Sequence, residues 1–324
     1  MKTVSKRLKR SLVRFPVLGV MSRLFVVVCI LVSFVTGCSK TVTNPHKEVR
    51  QEKVLLIGLI PEANIFRQME RYEPLVDYLS KRLAVKIELK VLPQYGDIVD
   101  NFISLGLDGA FLGSFTYVLL NSHLHAGLEV LARPVNLDGE STYHGLLLVR
   151  KDSGIRTAKD MRGKTFAFVD RATTAGYLFP LEYFKKHGIK DYRAYFKETY
   201  FAGTHEDAIL DVLDKKADIG AAKNTVYERL AKTDVRIIDE LIILDTSPDV
   251  PENGLALRKD LDDSIKKRLR AVLLTMHNDP LGRSVLTKFG AQKFISTTDK
   301  DYEPVLKYAR EIGLDLATYD YRND

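Results

Sequence analysis

The chain has 324 residues, 49 of them basic and 42 acidic, for a formal net charge of +7, and 45% of its residues are apolar. Seven of the basic residues (Lys2, Lys6, Arg7, Lys9, Arg10, Arg14 and Arg23) fall in residues 1–37, which hold no acid, so the rest balances at 42 basic against 42 acidic. That balance leaves no global positive field for nucleic acid, and with Cys29 and Cys38 the only cysteines, a disulfide framework, a cysteine-ligated zinc and a cysteine nucleophile are excluded from the body.

In chain order, the basic residues 2–23 lead into an apolar run, residues 24–35, which closes on Val35-Thr36-Gly37-Cys38. The run is about 12 residues long where a spanning helix needs about 20, so it reads as an export signal. Met21 would serve equally as its start. The end resembles the lipobox of bacterial lipoproteins, with Val35 where Leu is commoner, and so implies a lipid on Cys38. The plainer alternative is a signal peptide, residues 1–37, followed by an incidental Cys. Either way the mature protein is expected outside the cytoplasm, and a lipid would anchor it to a membrane. Ser39 favours the outer one where a cell has two. Residues 38–53 are polar and read as a flexible tether.

Val54–Leu59 is the apolar run of a buried strand. Pro74 is expected to open a helix with Leu75, Val76, Leu79 and Leu83 on one face. Residues 85–91 alternate, Val85, Ile87, Leu89 and Val91 against Lys86, Glu88 and Lys90, as in a half-exposed strand. Asp97 can cap a helix holding Ile98, Val99, Phe102 and Ile103; Gly109–Leu112 follows as a short strand, then a helix from about Thr116. Beyond residues 145–150, strands at 164–169, 217–221 and 241–245 alternate with helices at 174–187 and 205–216. Gly254–Arg258 reads as a strand much like residues 146–150, each followed by Lys-Asp. Asp260 caps a long helix with Ile265, Leu269, Val272, Leu273 and Met276 inward, and two further helices close the chain near Gly313. Strands alternating with helices imply α/β lobes with βαβ crossovers. The paired strands imply two crossings, near residues 152 and 248, where periodicity alone would equally allow one continuous sheet. Lobe 1 is then 54–152 with 248–324, lobe 2 is 153–247, and a hinged cleft lies between them.

The segment with the most specific chemistry is residues 168–177. A strand ends, hydroxyls and small residues follow, and a helix starts at about Thr174. Free amides and the dipole at such a start favour an anion. Thr173 or Thr174 would serve equally as a plain N-cap.

Asp170, Thr173, Thr174, Ala175, Gly176 and Tyr177 together resemble the binding turn of the phosphate/phosphite/phosphonate-binding proteins of ABC importers. Pro93-Gln94-Tyr95, residues 109–117, Asp160-Met161-Arg162-Gly163-Lys164, residues 203–208 and residues 217–221 match in order, over about residues 54–316. The resemblance implies a two-lobed type II periplasmic-binding-protein fold, mostly parallel sheets with helices on both faces and a hinge. It also implies that Thr173, Thr174 and the amides around Ala175 and Gly176 hold phosphoryl oxygens, with His205 donating another hydrogen bond. Tyr95 and Ser114 would reach across from the first lobe.

Some positions depart from the family pattern. Ala175 replaces a third hydroxyl, and Leu112 stands where some relatives have Tyr. Lys223 stands where many relatives have an acid or a short polar residue, and an acid there can meet the amine of an aminoalkylphosphonate. A lysine would repel that amine. If Lys223, or Arg171 in place of a common Pro, faces the cleft, the ligand is a compact or extra-anionic oxyanion. His123 and His125 lack the carboxylate-rich surroundings of a metal site, so neither metal nor cofactor is expected. No nucleophile is paired with a base, so the chain is not read as an enzyme. The expected function is a monomeric, lipid-anchored solute-binding protein. It would capture a phosphorus oxyanion (phosphonate, phosphite or phosphate) for an ABC importer permease. The alternative is a sensory binding lipoprotein that presents a similar anion to a membrane receptor.

Overall fold

An apolar strand organises the first sheet. In the computed structural model, which describes residues 54–323, β1 (Val54–Leu59) buries Leu55, Ile57 and Leu59 and pairs in parallel with β2 (Lys86–Val91) and β3 (Gly109–Leu112). The expected leader, Cys38 and the tether lie outside the described residues. Helix Ile65–Leu83 crosses from β1 to β2, and it opens at Ile65, not at Pro74. The Asn64 side chain caps it, accepting the Phe66 N–H at 3.1 Å. Pro74 then sits inside the helix and removes one hydrogen bond, while Tyr72, Leu75, Val76 and Leu79 on both sides bury themselves and hold the segment helical.

The first sheet runs β13-β4-β12-β3-β1-β2, with β4 (Leu128–Asn136), β12 (Gly254–Arg258) and β13 (Ala291–Ser296) joined antiparallel. Sequence reading passed over β4 and β13. β4 contains Pro134, and β13 exposes Gln292 and Lys293 side by side, so neither alternates cleanly. Helices cover both faces. Leu255 and Leu257 face a cluster with Leu75, Leu269 and Phe289, whereas Ala256 between them faces one with Phe115 and Val305.

The second sheet runs β10-β6-β9-β7-β8. Its strands are β6 (Gly145–Arg150), β7 (Thr165–Phe168), β8 (Glu198–Phe201), β9 (Ile219–Lys223) and β10 (Leu241–Thr246). β7 is parallel to β8 and β9, while β6 is antiparallel to β9 and β10. Both sheets are therefore mixed. The βαβ cores are parallel as expected, and the pairs formed where the chain returns are antiparallel.

One boundary is corrected. β6 was expected on the first-lobe side of a crossing near residue 152, yet it hydrogen bonds wholly within the second sheet. The two passages between sheets run side by side as β5 (Thr142–Tyr143) and β11 (Val250–Pro251), an antiparallel pair. Residues 146–150 and 254–258 look alike because both are buried central strands; the strands beside them decide which sheet each one joins.

Candidate ligand-binding site

Three strand ends converge between the sheets. β3 runs into Gly113 and helix Ser114–His123, β7 into Asp170 and the π-helical turn Thr174–Leu178, and β9 ends on Lys223. Carboxyl ends of strands in open α/β sheets are where ligands bind. A cavity of about 10 Å³ lies there, lined by Ile60, Glu62, Tyr95, Gly113, Thr116, Tyr143, Thr173, Thr174, His205, Lys223 and Asn253. Such a volume holds about one water, so the walls are closed on each other. Three bonds between the elements of the two sheets hold them so. Phe115 N–H donates to Thr174 Oγ1 at 3.0 Å, Thr116 Oγ1 to the Ala172 carbonyl at 2.8 Å, and Tyr95 N–H to Asp170 Oδ2 at 3.3 Å.

Of the residues singled out in the sequence, Tyr95, Thr173, Thr174, His205 and Lys223 meet at this cavity. Ser114, Ala175 and Gly176 are buried beside it but do not line it. Ser114 Oγ donates to the Pro251 carbonyl at 2.5 Å. Ala175 and Gly176 set how deeply the turn seats: a Cβ on Gly176 would lie 2.3 Å from Val169 Cβ, and one on Gly145 would lie 3.1 Å from Ala175 Cα. Glu62, Thr116, Tyr143 and Asn253 were missed. Thr116 lies inside the matched 109–117 segment without having been singled out; the neighbours of Glu62, Tyr143 and Asn253 form no motif, and only the fold brings these three to the cavity.

His205 opens helix His205–Leu213 behind the Thr204 cap, and its Nδ1 accepts the Lys223 N–H at 3.2 Å. The ring proton therefore sits on Nε2, which is left as a donor. Burial pushes the imidazole down to about 3, so it works as a neutral donor, and a charged His205 is not available at ordinary pH. Beside it, edge-on at 6.0 Å, is Tyr95, whose buried hydroxyl has no hydrogen-bond partner. Thr173 Oγ1 donates to the Asp170 carbonyl at 2.6 Å, tying down its own turn.

Lys223 is almost wholly buried, and all three of its ammonium protons are used. They go to Glu62 Oε1 at 3.0 Å, Asn253 Oδ1 at 3.1 Å and Glu252 Oε1, with the Tyr143 ring 4.3 Å away. Burial opposes its charge, but Glu252 and Glu62 more than offset that and hold its pKa above the ordinary lysine value. Glu62 is correspondingly held far below the usual carboxylate range: burial raises it, and Lys223 and Arg229 outweigh that. The cavity wall thus combines neutral hydroxyl, imidazole and backbone donors with a self-contained ion cluster.

Residues 57–302 match the family described as ABC transporter, phosphonate, periplasmic substrate-binding protein. The chain belongs to this family. It is 27% identical over 274 residues to the phosphonates-binding periplasmic protein of Escherichia coli strain K12, covering 83% of this chain and 80% of that one. A crystal structure of a binding protein component of an ABC phosphonate transporter from Pseudomonas aeruginosa superposes with a TM-score of 0.75 at 25% identity, over 81% and 87% of the two chains. PhnD1 of Prochlorococcus marinus, solved in complex with methylphosphonate, superposes with a TM-score of 0.72 at 23% identity, over 81% and 98%. The type II periplasmic-binding-protein fold is shared, and like its relatives this periplasmic substrate-binding protein is not an enzyme.

Within this binding protein Arg171 does not line the cavity. It is held by the C-terminal tail: its N–H donates to Asn323 Oδ1 at 3.1 Å, Nη1 pairs with Asp320, and its carbonyl accepts the Tyr319 hydroxyl at 2.8 Å. His123 packs edge-on against Tyr321, and no cluster of three or more potential metal-ligating side chains occurs among the described residues. Asp170 joins the tail to the turn. Its carboxylate accepts Ala172 N–H at 2.7 Å, Asn323 Nδ2 at 2.8 Å and the Tyr95 N–H.

Burial nevertheless pushes Asp170 up to about 6. A carboxyl raised above its unfolded value stabilises the fold fully below that value, near pH 4, and loses the contribution as pH rises through about 6. Wild type should therefore lose melting temperature relative to Asp170→Asn between pH 4 and pH 7. Parallel pH curves for the two proteins would contradict this.

Proposed function

We propose that this substrate-binding protein captures a small phosphorus oxyanion, anchored through a lipid on Cys38, and delivers it to an ABC importer permease. The observation that carries the ligand class is the unpartnered Tyr95 hydroxyl in the closed cavity, beside neutral His205 and the Thr173–Thr174 turn. Buried polar groups are nearly always satisfied, so an orphan donor marks where a ligand oxygen belongs. Hydroxyls, amides and a neutral imidazole suit a tetrahedral oxyanion, since they solvate its oxygens without requiring one charge state.

Lys223 narrows the choice further. An ammonium held by two carboxylates, an amide oxygen and an aromatic face has the chemistry that would recognise a ligand amine, and here the protein supplies the amine itself. The fitting ligands are phosphorus oxyanions without an amine, such as methylphosphonate, phosphite and phosphate, and not aminoalkylphosphonates. The sensory alternative has no support among the relatives named above.

A thermal-shift panel on the purified protein tests this reading. Methylphosphonate, phosphite or phosphate should raise the melting temperature as RT ln(1 + [L]/Kd) dictates, with 2-aminoethylphosphonate and sulfate giving little. A shift confined to sugars or amino acids would overturn the ligand class. For the anchor, wild type should fractionate with membranes and Cys38→Ala should be released; equal release would remove the lipid from the account.

A further inference from the structure

A second cavity, about 330 Å³, opens beside the ligand site between helix Ile65–Leu83 and helix Asn224–Ala231, which starts directly after Lys223. The charged groups facing it are Arg67, Glu70, Arg71, Glu206, Arg229 and Lys232. Glu206 is committed to Arg67 and to the Asn64 N–H, and Glu70 stands at the exposed rim. Two guanidiniums remain without a carboxylate. Arg71 uses Nε on the Phe289 carbonyl at 3.0 Å, and Arg229 Nη2 is buried with no hydrogen-bond partner.

The energetics point the same way. Burial pushes Arg229 below its ordinary value and the neighbouring Arg71 pushes it further, which Glu62 and Glu252 only partly offset. A buried cation repelled by a second cation is unfavourable unless an anion joins them. Guanidinium forks take carboxylate or phosphoryl groups in a bidentate way. The cavity is also in electrostatic reach of the ligand site, because Arg229 acts on both Glu62 and His205.

We propose that this cavity is a second oxyanion subsite, in which Arg71 and Arg229 hold a carboxylate or phosphoryl group. The group is either the distal end of a ligand whose phosphorus end lies on the Thr174 turn, or a free anion. The distal-end case rests on the function proposed above. Because the two arginines come from helices that pack on different sheets, an anion between them favours the closed form.

Calorimetric titration of the intact protein with methylphosphonate, phosphonoacetate and inorganic phosphate tests it. Wild type should bind phosphonoacetate about tenfold tighter than methylphosphonate. Arg229→Gln should abolish that preference, with Arg229→Lys intermediate. If the source is a free anion, phosphate should titrate to a second equivalent in wild type that Arg229→Gln removes. Arg71→Gln, on the opposite wall, repeats the test should Arg229→Gln fail to fold. Absence of both the preference and the second equivalent, or their survival in Arg229→Gln, would overturn the proposal. Failure of methylphosphonate to bind wild type would instead count against the inner site, with the phosphate arm still deciding this cavity.

Discussion

Lys223→Met should cost about 3–5 kcal/mol of stability at pH 7, the largest single-residue loss expected in this protein. Methionine nearly matches the lysine stem in volume, so the change removes charge and leaves packing almost intact. What remains is Glu62 and Glu252, buried and facing each other without the ammonium that joined them, with Arg229 only at longer range. In wild type Glu62 titrates far below its unfolded value, so its contribution is present above about pH 4.3 and is lost as pH falls. In the variant Glu62 keeps the burial that opposes its charge but loses the ammonium, and that penalty shrinks as pH falls. Denaturant unfolding should show a smaller loss at pH 4 than at pH 7, because the variant's buried carboxyl is relieved of its charge at the lower pH while wild-type Glu62 still keeps most of its contribution there. Equal losses at both would mean that the ion cluster is not what Lys223 contributes.

On the function proposed above, the same residue is expected to set selectivity. Lys223→Ala vacates a seat formed by two carboxylates, the Asn253 amide and the Tyr143 ring. 2-Aminoethylphosphonate should then bind the variant and restore much of its melting temperature, while methylphosphonate should not. A variant that ignores the amine would show that the seat is reserved for the lysine by shape and not by charge.

Tyr95→Phe should separate stability from binding. Its hydroxyl is buried and unpaired in the closed cavity, so removing it should leave the ligand-free melting temperature unchanged or slightly raised. A hydrogen bond to a charged oxyanion is worth about 1.5–3 kcal/mol, so affinity should fall about tenfold to a hundredfold. His205→Ala is the contrast. It removes the acceptor of the Lys223 N–H as well as the ring donor, so both stability and affinity should drop. Unchanged oxyanion affinity in Tyr95→Phe would take Tyr95 out of the site.

The turn at residues 170–177 was legible because its signal is local. Asp170, Thr173 and Gly176 act on their own backbone, through bonds to residues 170–173 and a contact with Val169 that admits no side chain. β4 and β13 were illegible for the opposite reason. A strand with a proline, or with two polar residues in succession, is recognised by the partner that pairs with it, and that partner lies elsewhere in the chain. Pro74 misled for a related reason: a helix opening is favoured there by local preference, and packing of Tyr72 and Leu75 overrode it.

Lys223 shows where the two kinds of information part. Its place at the end of β9, and the repulsion it offers to an amine, follow from the sequence alone. Its three partners do not: Glu62 lies far in the chain from the adjacent Glu252 and Asn253, and the two carboxylates with the Asn253 amide turn a free cation into a fixed plug. The sequence by itself determined the α/β class and the family, since both are written in short-range pattern. Only the tertiary structure decided the lobe boundary, the neutral state of His205, the orphan Tyr95 hydroxyl and the paired arginines. Burial, desolvation and ion pairing are properties of the residues that meet in space, and no stretch of chain carries them alone.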